Sequence, residues 1–358
     1  MAVLCTAASA QDQADPSPVE TQQDLPSIGT PSPADILPGP DAETGAPDQP
    51  RRLINAFEIG PPQIDPDGQL TADIAYGSYQ RGLYLNALAL ATPLAESGDP
   101  AAQTLVGVLH ETGQGIKQDY SKAADWYSLA AAQGNSDAAV RLAQFFLLGQ
   151  GVEQDKSKAA DYFEIAANAG LANAQYNLAI LYQSGEGRPY DEAKARELLE
   201  KAAHGNDPEA QYTLGLSYLE GLSGEPDAGQ GAFWLGRAAR RGHTSAQVYY
   251  GILRFQGRGV DPNEAEAAAW FERAATKGNP VAMNRLARLY ANGRGMEYDP
   301  VNAAAWHYVA RAAGVPDMML DSFVSSLPET QLADARKQAE RYTATIMAPT
   351  DDLNRPTP

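Results

Sequence analysis

The feature that most constrains this chain is a register of 36 residues. Stepping by 36 from Gly113 lands on Gly149, Gly185, Gly221, Gly257 and Gly293. Stepping from Ala102 lands on Ala138, Ala174, Ala210, Ala246 and Ala282. A third column holds Asp119, Asp155, Asp191, Asp227, Asn263 and Asp299, and a fourth Trp126, Tyr162, Leu198, Trp234, Trp270 and Trp306. Columns in phase over this length are the mark of a repeat architecture, in which each unit hides its apolar face against the next.

Each column has a local cause. Asp and Asn supply the short oxygen acceptor of a helix N-cap. Asp99-Pro100, Asp207-Pro208 and Asn279-Pro280 place proline at the first helical position behind a cap. Two helices per unit result, a helix A near 100–112 and a helix B near 119–133 in the first. Gly-x-Gly between them supplies the left-handed residue that ends a helix. A further glycine series (98, 134, 170, 205, 242, 278, 314) ends helix B, with spacings of 35 to 37. Within helix A, Val106, Leu142, Leu178, Leu214, Tyr250 and Leu286 form a large apolar column. Beside it Gly107, Ala143, Ala179, Gly215, Gly251 and Ala287 stay small, for close approach of neighbouring helices. Gly221, Gly224, Gly229, Gly231 and Gly236 make the fourth unit the least regular, which suggests a joint there.

The period, Ala-x-x-x-Leu-Gly in helix A, the Gly-x-Gly turn, and Asp…Ala-Ala-x-Trp-Tyr…Ala-Ala-x-x-Gly in helix B together resemble the Sel-one-like repeat (SLR) family, kin of tetratricopeptide repeats. The resemblance covers about residues 75–315. It implies an all-α, right-handed superhelical solenoid of about six 36-residue helix-turn-helix repeats, acting as an adaptor or regulator in secretory or periplasmic settings. Some bacterial relatives carry a disulfide in each repeat and are described as penicillin-binding, and others restrain membrane sensor kinases from the periplasm. This chain has no cysteine in its repeats, so the resemblance does not extend the former activity to it.

The domain expectation is a truncated secretory signal at 1–10, a disordered acidic linker at 11–72, a leading half repeat at 73–99, six repeats at 100–315, capping helices at 316–345 and a disordered tail at 346–358. Met1–Ala10 is apolar and closes on Ala8-Ser9-Ala10, the small-residue pattern that signal peptidase accepts. Residues 11–70 hold twelve of the 25 prolines, and residues 11–73 carry a net charge of −10 of the total −18. Such a segment buries too little apolar surface to offset chain entropy. A periplasmic or secreted location is expected, or a cytoplasmic one if Met1 is the true start. The acidity speaks against nucleic acid, which requires a basic stripe. No apolar run approaches the roughly 20 residues that span a bilayer, so no membrane span is expected.

The residues carry no visible catalytic constellation. His110, His204, His243 and His307 lie in different parts of the unit, without helical ligand spacing. No metal or other cofactor is expected. Four helix-A columns, beginning at Ala101, Leu105, Val108 and Thr112, vary freely between repeats and share one stripe. Released from the stacking pattern, that stripe is expected to face the concave side and to bind a peptide or protein partner through Arg141, Gln144, Asn173, Asn177, Tyr249, Arg285, Arg288 and Asn292. Arg and Tyr favour such a role, being over-represented at interaction hot spots. A monomeric, non-catalytic interaction scaffold of the cell envelope, regulating an envelope sensor or assembly, is the expected function. A lactam- or peptidoglycan-processing hydrolase is the alternative.

Overall fold

The structure, a computed structural model, describes residues 70–222 and 224–347. The expected signal at 1–10, the linker up to residue 69 and the tail beyond residue 347 lie outside the described residues. The chain divides into two units, residues 1–55 and 56–358. All the described residues belong to the second.

The described residues are all-helical. After α1 (Ala72–Gln80) and α2 (Tyr84–Glu96) come twelve helices of thirteen residues each. They are α3 (Pro100–Thr112), α4 (Tyr120–Ala132), α5 (Ser136–Leu148), α6 (Lys156–Asn168), α7 (Ala172–Ser184), α8 (Glu192–His204), α9 (Pro208–Glu220), α10 (Ala228–Arg240), α11 (Thr244–Gln256), α12 (Glu264–Thr276), α13 (Pro280–Asn292) and α14 (Pro300–Ala312). Odd-numbered members are helix A and even-numbered ones helix B. Each helix A packs on helix B of its own hairpin, and each helix B of the first five repeats packs on helix A of the next repeat, the nearest-neighbour pattern of a solenoid.

Equal lengths follow from equal punctuation. Every helix B starts at its Asp or Asn, which accepts a backbone hydrogen bond inside the first turn, as Asp119 does from Lys122 at 3.0 Å. Helix A is capped by Asp99, Asn135, Asp207, His243 and Asn279, while repeat 3 opens at Leu171 with no side-chain cap. Each helix A ends on a left-handed glycine, φ between 61° and 71°.

The irregular spacing in the series after helix B resolves in the structure. Gly205 is not left-handed; Asn206 is, at φ 72°. The left-handed column therefore runs 98, 134, 170, 206, 242, 278, 314, in strict register. Asn is the side chain that best tolerates this conformation after glycine, being short and able to bond locally.

The second glycine of Gly-x-Gly has a steric as well as a torsional cause. A Cβ on Gly151, Gly187, Gly259 or Gly295 would overlap the backbone at the start of the preceding repeat's helix B, at Tyr120, Lys156, Ala228 and Glu264 respectively. The turn thus closes directly onto its neighbour. A second link uses Gln103, Gln175, Gln211 and Gln247, whose side-chain amides donate to Ala95, Ala167, Ala203 and Ala239 carbonyls at 3.0 to 3.2 Å. These carbonyls lie at the end of the previous helix B and also accept the turn amides of Gly98, Gly170, Asn206 and Gly242, so the glutamine is their second donor.

Inside each hairpin, the small helix-A column faces helix B of the same repeat. A Cβ on Gly251 would sit 2.8 Å from Phe271, and one on Gly215 2.7 Å from Leu235. Tyr127, Phe163 and Phe271 are fully buried there, each worth roughly 1.5–3 kcal/mol of transfer free energy. Of the glycines that mark repeat 4, Gly229, Gly231 and Gly236 lie in an uninterrupted α10, and Gly231 packs against Gly215 and Leu219 so closely that a Cβ would collide with the leucine side chain at 2.5 Å. Gly221 and Gly224 lie in the turn before it, where a Cβ on Gly224 would meet nothing within 4 Å.

At the carboxy-terminal end, α15 (Met318–Ser325) and α16 (Glu329–Met347) close the stack. Tyr342 of α16 stacks on Trp306 with centroids 4.0 Å apart and donates to Asn302 at 2.6 Å. Only Ala335 of α16 is buried, so its outer face is left to solvent.

Candidate functional site: the helix-A band

The stacking columns leave one band of helix A unshared. Its outer columns are exposed: Ala101, Asp137, Asn173, Glu209 and Val281 along one edge, with Ser245 half-buried there, and Thr112, Leu148, Ser184, Glu220, Gln256 and Asn292 along the other. Between them runs a half-buried to buried floor that is largely apolar, with Val108, Ile180, Leu216 and Ile252 interrupted by Gln144 and Arg288. An extended segment laid along it would meet an apolar strip between two polar edges.

Of the expected partner-binding residues, Asn173 and Asn292 are exposed, and Arg141, Gln144, Asn177, Tyr249, Arg285 and Arg288 are half-buried. Several already hold neighbours. Arg141 donates to Glu111 of the preceding repeat at 2.7 Å, and Glu111 also accepts from the buried Tyr127 hydroxyl. Arg288 pairs with Asp317 at 2.7 Å, which also accepts from Asn284 at 2.8 Å. Tyr249 packs beside Tyr212 with centroids 5.9 Å apart, and Tyr212 stacks on His243 at 4.3 Å. Asn177 and Asn292 donate to carbonyls one turn earlier in their own helices.

The band is therefore stitched from repeat to repeat by residues that sequence reasoning passed over: Glu111, Tyr176, Tyr212, Asn284 and Asp317. The signal was present, since the column Thr104, Val140, Tyr176, Tyr212, Val248, Asn284 varies as freely as those chosen. Burial pushes the Tyr176 hydroxyl up to about 12, against a hydrogen bond with Thr213 in the next helix A. Burial also raises Tyr212 and Tyr249. Asp317 is raised by burial, but hydrogen bonds from Arg288, Asn284 and the Leu320 backbone outweigh this and hold it below the ordinary carboxylate range. These side chains are held in position by their neighbours.

The histidines are used structurally. His243 accepts from the Ala246 amide at 3.0 Å through Nδ1 and meets Glu209 at 3.1 Å through Nε2. His307 is buried and meets Asp321 at 2.8 Å. His204 lies edge-on to Trp234, and burial lowers His110. Among the described residues no group of three or more His, Cys, Asp or Glu could hold a metal ion, and no helix is long and apolar enough to cross a membrane.

Six stacked hairpins with an unshared band along one helix layer define an α-solenoid repeat scaffold. The family model for the Sel1 repeat matches residues 100–135, 136–171, 172–207, 208–243, 244–279 and 280–315. The chain belongs to the Sel1 repeat family, helical scaffolds for protein–protein interaction. A Sel1 repeat protein from Oxalobacter formigenes superposes with a TM-score of 0.62 at 29% identity, covering 68% of this chain and 100% of that one. The protein c5321, a protective antigen of uropathogenic Escherichia coli displaying an SLR fold, superposes with a TM-score of 0.50 at 22% identity, over 81% of this chain and 73% of that one. No curated protein matches the chain.

Proposed function

We propose that the protein is a non-catalytic scaffold of the cell envelope, holding a peptide or protein partner along the helix-A band to regulate an envelope sensor or assembly. One observation carries this reading: the glycine, glutamine and ring columns are consumed in seams, while the helix-A edges stay exposed and differ in every repeat. A surface that varies while its support is constant suits recognition of one particular partner. The envelope location rests on the apolar Met1–Ala10 with its Ala-x-Ala ending. The hydrolase alternative gains no support from the histidines, because none of the bonds of His204, His243 and His307 reaches a serine, threonine or cysteine side chain that could act as nucleophile.

The test is capture of crosslinked envelope proteins by the full chain. Reversing the charge at Arg141 would set a second carboxylate against that of Glu111, so exposed edge positions are the sounder choice. Asn173→Arg combined with Asn292→Glu is expected to abolish capture with helical circular dichroism and melting unchanged. Undiminished capture by this folded variant contradicts the reading.

A further inference from the structure

A second surface lies on the opposite helix layer. The outer stripe of helix B consists of the columns that begin at Asp125, Leu129, Ala132 and Gln133, spaced i, i+4, i+7, i+8. Along it the six repeats carry net charges of −1, −1, 0, +3, +2 and 0. In a chain of net charge −18, the stripe turns basic over repeats 4 and 5 alone, through Arg237, Arg240, Arg241, Arg273 and Lys277.

Elsewhere many arginines are tied to carboxylates, while Arg81, Arg258 and Arg341 bond to neutral oxygens. Arg141, Arg188, Arg254, Arg288, Arg294 and Arg311 each form an ion pair. Among the described residues none of the five stripe cations forms an ion pair, although Arg240 adds to the charges that hold Glu266 below the ordinary carboxylate range, Arg237 donates to Asn206 at 2.7 Å and Arg273 lies over the Trp270 ring. Arg240, Arg241, Arg273 and Lys277 are exposed. Lys277 donates to the Gly242 carbonyl at 2.8 Å, one residue beyond Arg241, which brings it to the end of α10. Glu266 is already held by Arg254, and Glu272 lies one column round the helix from Arg273. Phe233, half exposed, stands on the same stripe with Arg237 5.7 Å from its ring centroid. A cluster of exposed cations beside an exposed aromatic ring is the composition of an interaction hot spot.

We propose that the outer face of α10 and α12 is a docking site for an acidic peptide segment of a partner protein, distinct from the helix-A band. Carboxylates take the bidentate bonds that Arg240, Arg241 and Arg273 leave open, and an apolar residue among them covers Phe233. The helix dipole gives a competing account, since cations in the last turn of α10 stabilise its carbonyl end. A dipole role moves stability and leaves binding alone, whereas docking moves binding.

The experiment uses the full chain and a fluorescein-labelled Glu/Asp nonapeptide with one central Phe, followed by anisotropy in about 50 mM salt, where screening is weak. The wild-type chain is expected to bind, more weakly as salt rises. Arg240→Gln with Arg241→Gln should weaken binding about tenfold, with melting unaltered, and Asn173→Arg with Asn292→Glu should bind as wild type. Arg273→Gln with Lys277→Gln is the second variant should the first melt early, with the same loss expected. No binding by the wild-type chain, equal affinity in folded stripe variants, or capture of phosphatidylglycerol vesicles without the peptide would each overturn the proposal. Loss on the helix-A variant alone would instead assign the peptide to the band.

Discussion

The two turns of each repeat both depend on glycine, for different reasons. After helix A, the second glycine of Gly187 or Gly259 type has no room for a Cβ, because the neighbouring repeat's backbone stands there. After helix B, Gly98, Gly134, Gly170 and Gly314 have nothing within 4 Å of a Cβ; only their φ of 84° to 101° restricts them. Repeat 3 exploits the difference by placing Asn206 at the second kind of turn. One turn is a seam between units, and the other only reverses the chain.

The contrast can be broken by substitution. Gly187→Ala combines a left-handed alanine with backbone overlap at Lys156, and should lose about 3–5 kcal/mol in urea unfolding. Asp317→Asn probes the end of the stack, where a buried carboxylate replaces the glycine seam. It should cost about 1.5–3 kcal/mol near neutral pH. Because the folded Asp317 pKa is depressed, its contribution is present above the unfolded value of about 3.9. It fades as pH falls below that towards the folded value, so the wild type and Asp317→Asn should converge in acid. Gly134→Ala meets only the torsional cost, about 1–2 kcal/mol, and Gly134→Asn should fall below it. A Gly134→Ala loss matching that of Gly187→Ala would erase the distinction between the turns.

Most of the array was legible because its causes are local and recur in register. Caps, left-handed glycines and apolar columns each act within one helix end or face. What stayed hidden depends on contacts between units. The Gln103 column looks polar and ordinary until its amides meet carbonyls of the previous helix B. The fully buried rings of Tyr127, Phe163 and Phe271 sit one residue beyond the aromatic column that stood out, and only packing shows that they oppose the small helix-A residues. Gly205 drew attention as a glycine, yet the backbone keeps its register through Asn206. In the helix-A band, variability located the stripe. It did not show that Arg141 and Arg288 are already engaged by Glu111 and Asp317, since those carboxylates lie 30 and 29 residues away in sequence.

Each seam recognises position in the repeat and not the individual unit. Deleting residues 136–171 tests this most directly. Gly187 would then face Tyr120 and Gln175 would meet Ala131, both in register. The shortened chain should keep its helical signal per residue and melt in one cooperative step, while deletion of 136–153 should not. Collapse of the 36-residue deletion, or equal behaviour of the two, would contradict it.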